Sequence, residues 1–367
     1  SGRHVLAGHL SQLVAALGDT HTFTVVYDRS DPTLPADLAP GMQGIAAPSA
    51  CRSWWARSVW EHMRLPAVIR ACQADLLFSP AGTAVGTVNI PQVVFCQNPW
   101  CLVRTLQRSP LEHIKAAIQR RAYRFAATRA AVMVFNSDYM RRAYEKNAGH
   151  ACSHARIVYQ AAADVTHAAA RRYRKPRADD QIVSVSAMAP HKGIETVILA
   201  MAMLRDRFSE TCHLVLAGAW PDPTYRQHIK DLITRHNLDA QVEIRGFVSD
   251  AERHDLYATS RVFCLMSRCE SFGIPAVEAQ AFGTPVVSSN CCAIPEICGT
   301  GGLFPDPGDV TGTAEALHQL LRDEACWQDY SEKARANAQR FVWSRCSEPL
   351  IDLFRELGTH ATDLDPQ

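Results

Sequence analysis

The chain has no run of eighteen or more apolar residues, so none of its helices is expected to span a bilayer. It has no basic-then-apolar signal pattern and does not open on Met. We therefore expect a cytoplasmic protein, not a secreted one, whose true start precedes Ser1. Metal-ligand spacing is missing as well. Thirteen cysteines and fifteen histidines include no CxxC or Cys/His ligand pattern, and no Asp-x-Asp closes a strand. The cysteines, among them the adjacent Cys291 and Cys292, are expected to be reduced and structural.

What is present is enough apolar sequence for two cores. At 367 residues and 47% hydrophobic content the expectation is two domains. A net charge of +1 conceals an asymmetry. Residues 1–180 carry 22 Lys and Arg against 12 Asp and Glu, and the remainder 16 against 25, giving +10 and −9. A basic first half suits an anionic partner such as a membrane surface or a lipid phosphate; a solvated arginine-rich surface is the plainer reading. No nucleic-acid partner is expected.

Alternating short apolar runs and helical patterns predict parallel sheets wrapped on both faces. Val5–Leu17 has helical spacing, His21–Tyr27 reads as a strand, and Ser53–Ala71 reads as one basic helix carrying Trp54, Trp55 and Trp60. Such a helix could lie on a membrane interface, although tryptophans at helical spacing more commonly pack inside. Strands are expected at Asp75–Ser79, Gln92–Cys96, Ala131–Phe135 and Arg156–Gln160. Between the second and third of these, Leu111–Thr128 should form a helix with Leu111, Ile114, Ile118 and Phe125 on one side. Lys115, Arg120, Arg121 and Arg124 then fall on the other. Ala161–Asp180, polar and basic, is the expected linker.

The alternation restarts with a strand at Ile182–Ser186 and a helix at His191–Leu204, with Ile194, Val197, Ile198, Met201 and Leu204 inward. Strands at His213–Leu216 and Val242–Ile244 follow, with helices at Thr224–His236 and Asp250–Thr259. An amphipathic helix is expected at Phe341–Leu357. In doubly wound sheets ligands sit beyond the carboxyl ends of strands, near helix N-termini.

Ser267–Asn290 is the most informative stretch. It follows the strand Arg261–Met266 and sets Glu270 and Glu278 on either side of a Phe-Gly-Ile-Pro turn. A helix is expected over Pro275–Phe282, with Pro275 at its first position, Glu278 in its first turn and Gly283 ending it. A glycine turn entering a helix aims unpaired N–H groups and a positive dipole end at one point, which suits a phosphate. Glu278 as a dipole complement and Glu270 as a solvated loop charge is the bland alternative. Lys192, in a similar strand-to-helix turn with Gly193 beside it, is a natural point charge for a diphosphate, though a helix-start Lys is more often merely exposed. Two carboxylates also invite a glycoside hydrolase, but a hydrolase needs both at the scissile bond and no phosphate cradle.

ESFGIPAVEAQAFGTPVVSS resembles the E-x7-E signature of retaining family 4 glycosyltransferases of the GT-B fold. VSVSAMAPHKGIETVILAM resembles their first C-domain strand, loop and helix, and VEIRGFVSDAERHDLYATSRVFCLMS the segment leading into the signature. The resemblance, in order from about Ile182 to Asp306, implies two Rossmann-like domains. They would cover 1–165 for the acceptor and 166–340 for a nucleotide-sugar donor, with a helix over 341–367 crossing back to the first. It further implies that Glu278 holds the ribose hydroxyls, that Lys192 and the Phe272–Gly273–Ile274 backbone hold the diphosphate, and that Glu270 meets the sugar. Gly246–Phe247–Val248 would lie against the base. No metal or other cofactor is implied. The chemistry would be retaining transfer of a hexose to a glycan, lipid-linked or polysaccharide-precursor acceptor, at or near the inner face of a membrane.

Three departures matter. Ala187 stands where the family usually has an Arg. Gln97–Asn98–Pro99–Trp100 replaces the usual cleft His and resembles a subgroup with Asn there, which makes Asn98 a catalytic candidate. The family's first strand is absent, leaving Ser1–Gly2–Arg3–His4, with Gly2, as the remnant of the glycine-rich loop that faces the donor phosphates. An epimerase or phosphorylase on the same fold, and a non-catalytic nucleotide-sugar binder, remain as alternatives.

Overall fold

The computed structural model describes residues 2–29, 41–173 and 175–362. The chain divides into two compact units, residues 1–161 with 343–367 and residues 162–342.

In the first unit, Phe23–Asp28 (β1) pairs in parallel with Met42–Ala47 (β2). Leu77–Ser79 (β3), Gln92–Cys96 (β4), Val132–Phe135 (β5) and Ala155–Ile157 (β6) form a second parallel sheet in that order. Val93, Val94, Phe95, Val134 and Phe135 have no exposed surface, as short apolar runs in a sheet covered on both faces require. β2 was not foreseen, because MQGIAA contains a glycine and only one β-branched residue.

Two helices replace the single one expected at Ser53–Ala71. They run Trp54–Met63 and Leu65–Cys72 and meet at Arg64, because Pro66 supplies no N–H to a continuing helix. Helix Pro110–Arg129 begins at a capping box, with the Ser109 hydroxyl accepting from the Glu112 amide at 3.2 Å and the Glu112 carboxylate accepting from the Ser109 amide at 3.2 Å. The side opposite the apolar residues is not the basic one expected. Ala116, Tyr123 and Ala126 face the core, while Leu111, Ile114, Ile118 and Phe125 stand in solvent beside the cations. The tail is two helices, Trp343–Cys346 and Glu348–Thr362. Within this unit Trp343 covers Gly8, where a Cβ would lie 2.4 Å from the indole, and Ser347 bonds His9 Nδ1 at 2.9 Å.

The second unit holds a six-stranded parallel sheet. Its strands are Gln181–Val185 (β7), His213–Ala217 (β8), Val242–Gly246 (β9), Val262–Leu265 (β10), Val286–Ser288 (β11) and Gly302–Leu303 (β12). The spatial order is β12-β11-β10-β7-β8-β9. The chain therefore winds outward from β7 in one direction and then, from β10, in the other. That reversal places a topological switch point between β7 and β10, the place beyond the strands' carboxyl ends where ligands sit in sheets of this kind. Ile194, Val197, Ile198, Met201 and Leu204 all pack inward from helix Ile194–Phe208.

The expected linker is no linker. Asp164–Arg172 is a helix of the second unit, with Thr166 Oγ1 3.0 Å from His254 Nε2. Arg177 is embedded, donating to the carbonyl of Phe282 at 3.0 Å and to Thr284 Oγ1 at 2.7 Å. A polar, basic sequence served here to pair with carbonyls at the sheet's rim, which composition does not distinguish from solvation.

Candidate functional site

Both loops that flank the switch point carry the residues singled out from sequence. After β7 the chain makes a single turn, Pro190–Lys192, and enters Gly193 at φ 64°. A Cβ on Gly193 would lie 2.0 Å from the carbonyl oxygen of Met266, at the end of β10. Only glycine permits that approach. The Arg268 amide then donates to the His191 carbonyl at 2.7 Å, so the two loops are tied together.

This closeness brings Lys192 to Glu270. Lys192 Nζ lies 2.6 Å from Glu270 Oε1, and the Ser267 hydroxyl donates to the same oxygen at 3.1 Å. Both charged side chains are mostly withdrawn from solvent, at 16% and 13% exposure. An ammonium has three N–H donors, so Lys192 can hold Glu270 and still offer hydrogens to another anion. The Glu270 loop is itself held from the β11 side. Ala293 N donates to the Glu270 carbonyl at 3.3 Å, and the Cys291 thiol to the Ser267 carbonyl at 3.1 Å.

The following helix runs Ile274–Ala281, one residue earlier than expected, and Gly273 precedes it at φ 100° with no side chain capping the first turn. Phe272 is 1% exposed and meets Phe341 edge-on at 5.4 Å. Its aromatic ring is therefore committed to the core, and what this segment can offer a ligand is backbone.

Glu278 is the fifth residue of that helix, so it lies beyond the first turn and cannot serve as a dipole complement there. It is buried. Tyr257 Oη donates to Oε2 at 3.0 Å, and Arg253 Nε lies 3.3 Å from the same oxygen. Burial pushes the Glu278 carboxyl above the usual carboxylate range, against the pull of Arg253 and the Tyr257 hydrogen bond. Arg253 and Tyr257 had no role in the sequence reading. Their i, i+4 spacing in Asp250–Thr259 put them on one helix face, which was the available signal.

Each glutamate thus has its own cation: Lys192 attends Glu270 and Arg253 attends Glu278, so neither carboxyl depends on the other for its charge partner.

Beyond β9, Gly246 adopts φ 76° and has open space where a Cβ would stand. Val248 is buried, while Phe247 is 85% exposed, a large apolar ring with nothing of the protein over it. Gly218, after β8, comes so near the Ser186 carbonyl that a Cβ would sit 1.8 Å away, and its amide donates to the Gly246 carbonyl at 2.6 Å. The ends of β7, β8 and β9 are thereby held level. Ala187 is exposed and offers no charge; Arg268, also exposed, is the cation on the loop bonded to the Lys192 turn.

Two candidates belong to the first unit. Asn98 follows β4, is exposed, accepts from the Trp100 amide at 3.0 Å through Oδ1, and its carbonyl accepts from Tyr123 Oη at 3.1 Å. Gly2 opens the helix Gly2–Leu17, and Ser1 lies outside the described residues. Among the described residues no group of three or more His, Cys, Asp or Glu is placed to hold a metal ion. No described helix is long and apolar enough to cross a membrane.

Comparison with known proteins follows the same division. Residues 167–341 match the family model of the glycosyl transferases group 1. Over 175 residues the chain is 31% identical to O-antigen chain mannosyltransferase B of Escherichia coli, covering 47% of this chain and 45% of that protein. The chain thus matches less than half the length of this curated relative. Sucrose-phosphate synthase from Thermosynechococcus elongatus superposes with a TM-score of 0.76 at 19% identity, over 98% of this chain and 94% of the other. Anabaena HepE, solved with UDP and glucose, gives 0.73 at 20% identity over 97% of each chain. These structures share the α/β, two-Rossmann GT-B architecture that the sequence led us to expect.

Proposed function

We propose, from the match of residues 167–341 to the family model of the glycosyl transferases group 1, that this protein moves a hexose from a nucleotide-diphosphate sugar to a glycan, lipid-linked or polysaccharide-precursor acceptor. The observation that carries the reading is the Lys192–Glu270 pair at 2.6 Å at the switch point, beside the uncapped helix start at Gly273. A diphosphate needs a cation and free amides, and a sugar needs a hydroxyl acceptor; this place supplies all three.

In this reading Lys192 and the Gly273–Ile274 backbone take the diphosphate. Arg268 supplies the second positive charge that Ala187 lacks. Glu270, fixed by Lys192 and Ser267, accepts from sugar hydroxyls, and Glu278 accepts from the ribose. Phe247 packs on the base. The transfer is retaining and needs no metal: the anomeric C–O bond to the phosphate breaks, the acceptor oxygen bonds the same face, and its proton passes to the departing phosphate oxygen. Asn98 and Gly2 are assigned to the acceptor and phosphate sides on the family resemblance. The protein acts in the cytoplasm, with peripheral contact to anionic membrane through the basic first unit.

Thermal-shift screening of nucleotide sugars, followed by mass analysis of products with candidate acceptors, tests this. We expect a stabilising donor and a product heavier by one hexose. Donor turnover without acceptor, giving an altered sugar, would identify an epimerase; turnover of a sugar phosphate, a phosphorylase; and no turnover of any donor, a binder.

A further inference from the structure

Two helices of the first unit turn apolar side chains outward. On Pro110–Arg129 these are Leu111, Ile114, Ile118 and Phe125, exposed by 44% to 74%. At about 3.6 residues per turn their positions fall within an arc of roughly 60°. The opposite side is held to the core by Ala116 and Tyr123. On Trp54–Met63 the ridge is Trp55, Val59 and Met63, at i, i+4 and i+8, exposed by 59% to 74%. Isolated exposed apolar residues are ordinary; two aligned ridges are not.

The ridges converge. The Phe125 ring lies over Gly86, where a Cβ would be 3.2 Å from Cζ. The next residue, Thr87, donates through Oγ1 to the carbonyl of His62, one position before Met63, at 2.9 Å. One end of each ridge therefore abuts the same two-residue segment, which is itself exposed.

Charge identifies the occupant. Lys115 and Arg121 flank the ridge of Pro110–Arg129, and Arg129 continues its line; all three are exposed. The helix's one acid, Glu112, is engaged in the capping box. On the other helix the lone acid, Glu61, lies 3.7 Å from Arg57. An apolar crest edged by cations, with its acids engaged, matches the boundary between acyl chains and anionic headgroups.

We propose that these two helices together form the face by which the protein sits on an anionic lipid bilayer, with the apolar ridges entering the headgroup boundary. This deepens the membrane contact proposed above and is independent of the sugar-transfer reading, since it needs no donor or acceptor.

The test is co-sedimentation of the full chain with vesicles of phosphatidylglycerol and phosphatidylcholine, against phosphatidylcholine alone, at low and high salt. Binding should require the anionic lipid and weaken with salt. Lys115→Gln and Arg121→Gln should each weaken it about fivefold, and Ile118→Asp about tenfold or more. Leu111→Ser with Ile114→Ser provides a milder pair in case Ile118→Asp fails to fold, with the unfolding midpoint as the check. Tryptophan emission should shift to the blue on adding anionic vesicles, and Trp55→Phe should reduce that shift. Equal binding to both vesicle types, no binding, or undiminished binding by the ridge variants would overturn the proposal. So would a lipid-free dimer that Ile118→Asp converts to monomer, because the ridges would then serve a second copy of the chain.

Discussion

The two units build on the same kind of sheet and dispose their charge in opposite ways. In the second, apolar side chains go inward, glycines bring loop ends to within contact of neighbouring strands, and the two glutamates singled out from sequence are each held by a cation: Glu270 by Lys192, Glu278 by Arg253. In the first, cations crowd one solvent-facing helix together with leucine, isoleucine and phenylalanine. Among its buried groups is His9, whose pKa is pushed down by burial. A site for one small ligand needs fixed distances, whereas a surface for an extended partner needs an exposed distribution of charge and apolar area.

The largest effect that should separate the units is catalytic. Glu270→Ala is expected to lower turnover by at least about a hundredfold if Glu270 contacts the sugar as proposed. Steady-state rates with the identified donor check this. A loss no larger than that caused by Asn98→Ala would erase the contrast between them.

Acid should strike the first unit through His9. Burial holds its pKa down to about 4, while Ser347 bonds Nδ1 at 2.9 Å and Trp343 and Phe95 meet the ring edge-on. The folded value lies below the unfolded one, near 6.5, so the unfolded chain binds the extra proton in between. Stability is whole above that upper value and declines by about 1.4 kcal/mol per pH unit toward the lower. Denaturant titrations of wild type and His9→Asn across this window should show the variant with the shallower decline.

Glu278 carries the reverse sign. Its carboxyl is raised by burial, so ionising it costs stability as pH climbs from the ordinary carboxylate range through the folded value, and protonation relieves that cost. Glu278→Gln keeps an acceptor for Tyr257, and Arg253 keeps Asp250 at 2.7 Å. Its unfolding midpoint at neutral pH should equal or exceed wild type, with the difference narrowing in acid, even though nucleotide binding weakens. The smallest effect is expected for Arg268→Ala, an exposed cation on the loop bonded to the Lys192 turn. It should raise the donor KM about fivefold, with less effect as salt increases.

Much of the second unit was legible because its signals are local. Runs such as VFCL are buried on both faces, and glycine and proline mark where strands stop and helices begin. Lys192 and Glu270 could be paired in advance as residues following strands, yet nothing local says that β7 and β10 are neighbours. That came from sheet order. Nor did the sequence disclose that Arg253 and Tyr257 close over Glu278, since the contact joins two helices. The first unit was harder for a related reason. Periodicity shows which residues share a helix face and is silent on which face is inside. On Pro110–Arg129, alanines and one tyrosine fit close against the sheet, and the larger aliphatic residues were left outside. Ala161–Asp180 misled similarly, because embedded Arg177 reads in sequence like a solvated one.

The central claim is that the two glutamates hold different parts of one nucleotide sugar. Calorimetric titration of the nucleotide diphosphate into wild type, Glu278→Ala and Glu270→Ala tests it most directly. Glu278→Ala should weaken binding by about 1–3 kcal/mol, while Glu270→Ala should bind within a few-fold of wild type and lose turnover. Undiminished turnover in Glu270→Ala, or equal affinities for wild type and Glu278→Ala, would contradict it.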